Sequence, residues 1–188
     1  MSDTFSLEVH VFEREGVSDF KTVKGVRELN LKLTKQFIES GGHADAIMYL
    51  VTEENVYYCA LDQRAAAEAK SSPLDQVSPV LRMITKQDER FKDLLAYQII
   101  GEAWMKVFKK NGKDPPIEYG DIAVMPDRVE VLMEVFVEKD LPMKCNTFKM
   151  IREVDSEKVI GFNLINSNDN TMESTKFPLL PITGDYNA

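Results

Sequence analysis

The chain has 188 residues, of which 44% are hydrophobic and 29% charged, and its net charge is −8. This apolar content excludes a wholly disordered chain, and two cysteines are too few for a disulfide-rich scaffold or a four-thiolate zinc site. No apolar run reaches the roughly 18 residues that a membrane span needs, and the first residues lack the features of a signal peptide. We therefore expect a cytoplasmic protein that is not attached to a membrane.

The first part of the chain predicts a strand followed by a long helix. Residues 6–13 alternate apolar and polar side chains, which is the period of a strand. Ser18 is a suitable N-cap for a helix over residues 19–40, whose apolar residues recur every three or four positions. Gly41 and Gly42 follow, and glycine commonly ends a helix. We therefore expect an amphipathic helix that ends at this glycine pair.

Two further elements are predicted in the middle of the chain. Residues 45–51 and 56–61 are rich in β-branched and aromatic residues and flank a short polar stretch, a pattern typical of a hairpin. Ser78 and Pro79 form an N-cap followed by proline, which favours the start of a second helix. We expect this helix to run to about Lys92.

The segment 94–108 is compatible with either a helix or a strand. As a helix, it would align apolar residues at four-residue steps. As a strand, its odd-numbered residues would form an almost wholly apolar face. Because Gly101 would cost about 1 kcal/mol inside a helix, we favour the strand.

The last third of the chain predicts an antiparallel meander. Residues 128–138, 144–154 and 159–166 have strand patterns separated by short turns. All the elements together predict an α+β fold, with a mostly antiparallel sheet of about six or seven strands and two main helices on one side. We expect a single domain over residues 1–166 and an irregular C-terminal tail over residues 167–188.

Two short motifs resemble those of a known group of proteins. Residues 102–105 read EAWM, and after a proline-rich gap residues 126–133 read PDRVEVLM, ahead of an Ile-Arg pair at 151–152. This pattern is similar to that of a family of small, functionally uncharacterised bacterial and phage proteins. The resemblance covers about a third of the chain, and the N-terminal third departs from it. It implies a small cytosolic protein, favours a strand in the EAWM segment, and carries no activity with it.

The same motifs hold the first candidate site. If the strands that carry them are paired, Glu102 and Glu130 lie near Arg128, with Asp127 beside it. Two carboxylates and a guanidinium can shift each other's pKa, bind a metal ion or hold a phosphate, and Trp104 with Arg128 is a candidate ligand-binding pair. The alternative is a set of cross-strand salt bridges, with Trp104 packed on the sheet.

A second candidate lies where the first helix ends. His43 and Asp45 could act as a general base with its orienting carboxylate, or as half of a metal site. However, residues two apart in a loop need not converge, and the chain has only one other histidine. Cys59 and Cys145 lie within predicted strands, and no glycine-rich nucleotide-binding motif is present. We therefore predict no cofactor and no metal site.

One cluster of basic residues raises the question of nucleic-acid binding. It consists of four lysines next to a phenylalanine: Lys106, Lys109, Lys110 and Lys113. A nucleic-acid site needs a net basic face that neutralises several phosphates, and this chain is acidic. We therefore do not expect a nucleic acid as the partner.

The C-terminal tail supplies the candidate partner-binding residues, which are Phe177, Leu179 and Leu180. An acidic chain with an apolar tail and no complete catalytic set favours a non-enzymatic protein-interaction or accessory protein. Its partner would be another protein or a second copy of the chain. The alternative is a small enzyme that depends on a metal or a phosphate ligand and uses the charged residues of the first candidate site.

Overall fold

Seven strands form a single antiparallel sheet in the computed structural model, which describes residues 9–62, 68, 77–106 and 121–168. The strands are, in chain order, β1 (His10–Glu13), β2 (Ile47–Val51), β3 (Asn55–Ala60), β4 (Ala96–Met105), β5 (Val129–Glu138), β6 (Lys144–Arg152) and β7 (Val159–Asn168). Their order across the sheet is β1-β3-β2-β4-β5-β6-β7. The α+β fold class and the C-terminal meander are therefore confirmed.

The segment with two possible structures is a strand, β4, at the centre of the sheet. It pairs with β2 on one side and with β5 on the other. Its glycine has a steric reason, because a Cβ at Gly101 would lie only 2.8 Å from the Cα of Ala46. Strand pairing on both sides and this close backbone approach account for a residue that a helix would disfavour.

The long helix, α1 (Val23–Glu39), begins four residues later than the sequence predicts. Ser18 instead opens a short 3₁₀ turn, Ser18–Phe20. The N-cap is Thr22, whose side-chain oxygen accepts a hydrogen bond of 2.9 Å from the backbone N–H of Gly25. At the other end, Gly41 adopts a left-handed conformation with φ of 95°, so the predicted glycine stop is confirmed.

The second helix, α2 (Val77–Gln87), lies on the opposite face of the sheet from α1, so the expectation of both helices on one side is wrong. The reason is visible in β4, whose residues are apolar on both faces. Ala96 packs in a cluster with Val26 of α1, whereas Tyr97 packs in a cluster with Leu81 of α2. A central strand buried on both faces needs a cover on each side.

The second helix ends earlier than the sequence predicts, at Gln87 and not at about Lys92. A 3₁₀ turn, Glu89–Phe91, follows the end of α2, and a single helical turn spans Asp121–Val124.

None of the helices in the described ranges is both long and apolar enough to cross a membrane. Most of the predicted tail and three of the four clustered lysines lie outside the described residues, including Phe177, Leu179, Leu180, Lys109, Lys110 and Lys113.

Candidate functional site

The structure brings three residues of the first candidate site together on the α1 face of the sheet. Trp104 of β4 is directly opposite Glu130 of β5, and the guanidinium carbon of Arg128 lies 4.6 Å from the centroid of the Trp104 ring. Arg152 of β6 donates hydrogen bonds of 2.8 Å and 2.5 Å to Oε2 of Glu130. We call Trp104, Arg128, Glu130 and Arg152 the Trp104 cluster.

The contacts within the Trp104 cluster are those of a surface cation–π pair beside a salt bridge. The Trp104 side chain is 41% exposed, and the Arg128 side chain donates a hydrogen bond to the carbonyl oxygen of Met125, at 3.4 Å. Glu130 forms a salt bridge with Arg152 and is not paired with a second carboxylate. An exposed tryptophan and arginine are common in protein contacts, whereas this set lacks the paired carboxylates of an acid–base or metal site.

Glu102 belongs to a different set of contacts, which ties a loop to β4. Its Oε1 atom accepts a hydrogen bond of 2.6 Å from the backbone N–H of Ala44, and its Oε2 atom lies 3.7 Å from Nδ1 of His43. The backbone N–H of Glu102 donates to the carbonyl oxygen of Ala44. The two candidate sites of the sequence therefore meet here, as an anchor for the loop that follows α1.

Asp127 lies in the turn that precedes β5, with a positive φ of 59° and an exposed side chain. Aspartate tolerates this left-handed conformation better than most residues. Lys106 donates a hydrogen bond of 2.6 Å to the carbonyl oxygen of Pro126 in the same turn. In the part of the chain that the structure describes, no group of three or more His, Cys, Asp or Glu residues is placed to hold a metal ion.

Replacing Arg128 by glutamine is expected to expose Trp104 and to lower the free energy of unfolding by about 0.5–1 kcal/mol, the usual value of an exposed cation–π pair. Trp104 is the only tryptophan of the chain, so tryptophan fluorescence reports on the surroundings of this one side chain. Acrylamide should quench the variant more strongly than the wild type. Lys139→Gln, which changes an exposed lysine elsewhere, is the control, and equal quenching in all three proteins would contradict the stacked geometry.

Sequence reasoning missed a buried polar network between α1 and the sheet. Glu134 of β5 is fully buried, and Arg27 of α1 donates two hydrogen bonds of 2.8 Å to its two carboxylate oxygens. The side-chain amides of Gln98 and Asn146 donate to the same carboxylate at 2.7 Å and 2.6 Å. The available signal was Gln98, a polar residue inside the apolar run of β4. Because each carboxylate oxygen has partners, the network joins the helix to the sheet.

The titration of the buried groups fits structural roles. Burial raises the pKa of Glu134, but the hydrogen bonds and charge of Arg27, with the two amides, lower it more, so that the pKa lies below the ordinary value of a glutamate. Burial lowers the pKa of Lys35, whose ammonium lies 3.4 Å from the centroid of the Phe148 ring. Burial also raises the pKa of the Cys59 thiol to about 11, which keeps it unreactive.

The edge strand β7 has an unusual composition for its position. Its ten residues include no charged residue and no proline. Ile160, Leu164 and Ile165 expose 55%, 55% and 45% of their surface. The register with β6 shifts twice, and the two isoleucines fall at these shifts, outside the regular pairing. Among the strands that the structure describes, β7 pairs with β6 alone.

The opposite edge strand, β1, is shorter and carries an aromatic stack. His10 and Phe12 stack on Tyr58 of β3 with ring centroids 4.7 Å and 5.3 Å away. Val11 and Phe12 are about half exposed. With four residues in the described strand, β1 offers less backbone to a partner than β7 does.

Comparisons of this chain with protein-family models, with curated proteins and with solved structures found no match. The resemblance carried by residues 102–105 and 126–133 therefore stays a prediction.

Proposed function

We propose that this chain is a non-enzymatic protein-interaction protein, and that β7 is the strand to which a partner polypeptide adds. The observation that carries the proposal is the composition of this edge: ten residues without a charge, with three large apolar side chains exposed. The bacterial or phage type and the cytoplasmic setting implied by the resemblance belong to the same proposal.

The physical basis is the set of backbone groups on the outer side of an edge strand. An added strand satisfies these N–H and C=O groups, and it covers the apolar side chains beside them. Natural edge strands usually carry lysine, proline or inward-pointing charges that prevent such pairing. Bulges also hinder pairing at an edge, and in β7 the register shifts at Ile160 and Ile165 are the only feature of this kind. They leave a regular stretch from Gly161 to Leu164.

The alternative of a metal- or phosphate-dependent enzyme has less support. It needs the side chains of Glu102, Asp127, Arg128 and Glu130 to face one ligand. Instead, Glu102 holds the loop after α1, and Glu130 is bound by Arg152. We therefore assign these side chains to structure and to a surface contact, and not to catalysis.

The test uses extended peptides selected from a random library displayed on phage, with the purified protein as bait. Affinities of the enriched peptides are then measured for the wild type, for Leu164→Lys and for Val154→Lys. Val154 is the matched control because it is 86% exposed but lies in the turn before β7. We expect Leu164→Lys to weaken binding about tenfold or more, equal to about 1.4 kcal/mol, and Val154→Lys to leave it unchanged.

Hydrogen exchange supplies a second readout of the same proposal. Peptide binding should slow exchange of the backbone amides between Gly161 and Leu164, because an added strand accepts hydrogen bonds from them. Peptides that bind both lysine variants equally, or that protect only other strands, would count against β7 as the interaction edge.

A further inference from the structure

We infer that the strand added to β7 is β7 of a second copy of this chain, in antiparallel orientation about a two-fold axis near Asn163. This inference rests on the proposed function of β7 as an interaction edge. It names the partner and the geometry, neither of which the proposed function contains. The sheet would then continue from one copy into the other.

The distribution of charge favours a second copy at this edge. Each chain carries a net charge of −8, so two copies repel each other over most approaches. β7 contains no charged residue, so a contact between two β7 strands places no like charges opposite each other. A contact of β7 against β7 therefore avoids close like-charge repulsion along its whole length.

The turn before β7 selects the antiparallel orientation. It holds three carboxylates, Glu153, Asp155 and Glu157, against the single lysine Lys158. In a parallel pair, the two acidic turns would lie side by side. In an antiparallel pair, each turn lies at the far end of the partner strand. The two acidic turns are then roughly 30 Å apart, for ten residues at about 3.3 Å each.

The side-chain pattern of β7 then places the axis. Phe162 and Leu164 are opposite Met150 and Phe148 in the register with β6, which puts both on the α1 face, while Asn163 is on the other face. An axis through Asn163 sets Phe162 of one copy opposite Leu164 of the other, twice. It also sets the two Asn163 amides opposite each other, where one can donate and the other accept.

This register extends an apolar cluster that already exists in one copy. Phe162 packs against the cluster of Ile38, Leu132 and Phe148 under α1. Leu164 continues the same face, but it is 55% exposed. In the pair, each exposed Leu164 would be covered by the half-buried Phe162 of the second copy, which removes apolar surface from water on both sides of the axis.

The experiment is a cysteine cross-link at the axis. In Asn163→Cys, the new thiols of two copies would lie directly opposite, within the Cα separation that a disulfide spans. The native thiols, Cys59 and Cys145, are buried and stay unreactive. Under mild oxidation we expect a disulfide-linked dimer for Asn163→Cys, none for wild type or Val154→Cys, and loss of the cross-link when Leu164→Lys is added.

Sedimentation of the wild type and Leu164→Lys over a wide concentration range completes the test, with Ile165→Lys as a second charged variant and circular dichroism as the check of folding. We expect a wild-type dimer whose dissociation constant rises about tenfold or more in the lysine variants. A dimer that Leu164→Lys leaves intact would overturn the inference. A monomer at every concentration would also overturn it, and peptide binding that still depends on Leu164 would then leave the proposed function standing.

Discussion

Replacing Arg27 by methionine is expected to lower the free energy of unfolding by about 3 kcal/mol at neutral pH. The substitution keeps most of the aliphatic stem but removes the guanidinium that binds both oxygens of Glu134. Glu134 is fully buried, so its charge would lose its compensating partner, and breaking a buried ion pair on one side typically costs about 3–5 kcal/mol. The Arg27 side chain keeps 18% exposure, which favours the lower value. Urea denaturation followed by Trp104 fluorescence measures the loss.

Lys24→Met is the matched control on the same helix. Lys24 is 80% exposed and lies 3.7 Å from Glu28 across one helical turn, a surface pair worth about 0.5 kcal/mol or less. If both variants lost the same stability, the effect of Arg27 would be a general effect of the helix and not of the buried carboxylate. Adding Glu134→Gln to Arg27→Met should recover part of the loss, because a neutral amide costs less to bury.

The difference in the free energy of unfolding between the wild type and Arg27→Met should depend on pH, in a direction that a packing defect would not produce. In the wild type, the pKa of Glu134 is lowered, so its stabilising contribution is fully present above the ordinary pKa of a glutamate in the unfolded chain and is lost as the pH falls through the folded-state pKa. Without Arg27, burial raises the pKa of the carboxyl group, and the folded variant binds a proton as the pH falls from neutral. The stability gap between the two proteins should therefore narrow with acidification.

Gly101→Val is expected to destabilise the protein by about 1–3 kcal/mol, the usual cost of overpacking. A Cβ at residue 101 would lie 2.8 Å from the Cα of Ala46, which is backbone and cannot rotate away. Moving Ala46 would strain the hydrogen bond of 2.8 Å from the N–H of Leu61 to its carbonyl oxygen. It would also shift the neighbouring loop that Glu102 holds at Ala44. Thermal unfolding measures the loss.

Gly161→Val separates this steric effect from the general preference of strands for valine. A Cβ at Gly161 would meet only Cδ1 of Ile151, at an ordinary 3.9 Å. Valine is favoured over glycine in strands, so this variant should be neutral or slightly more stable than the wild type. Comparable losses at both glycines would show that the approach of Ala46 does not constrain β4.

The strands were predictable from the sequence because their side-chain period is local. The alternation in residues 128–138 and the turn-flanked pattern of residues 159–166 give β5 and most of β7 directly, since each strand carries its own signal. In β4, the cost of Gly101 in a helix was enough to choose the strand, and the close approach of Ala46 supplies the reason for that glycine.

The placement of the helices and the buried network depend on register, which is not local. Gln98, Glu134 and Asn146 come from three strands and meet only because β4, β5 and β6 pair in one particular alignment beneath Arg27. The same holds for the first candidate site. The register places Trp104 opposite Glu130, whereas Glu102 accepts a hydrogen bond from the loop after α1. A single sequence contains the side chains but not the pairing that selects among them.

The position of β2 beside β4 divides the sheet into two consecutive pieces of the chain, β1–β3 and β4–β7, joined along one seam. α1 belongs to the first piece, but its apolar side is covered in part by residues of the second, as far along as Val159. During synthesis from the N-terminus, this helix therefore leaves the ribosome long before its cover exists. Its native packing is completed only when β7 has begun to emerge, so the interval before then is when the nascent chain most needs protection from aggregation.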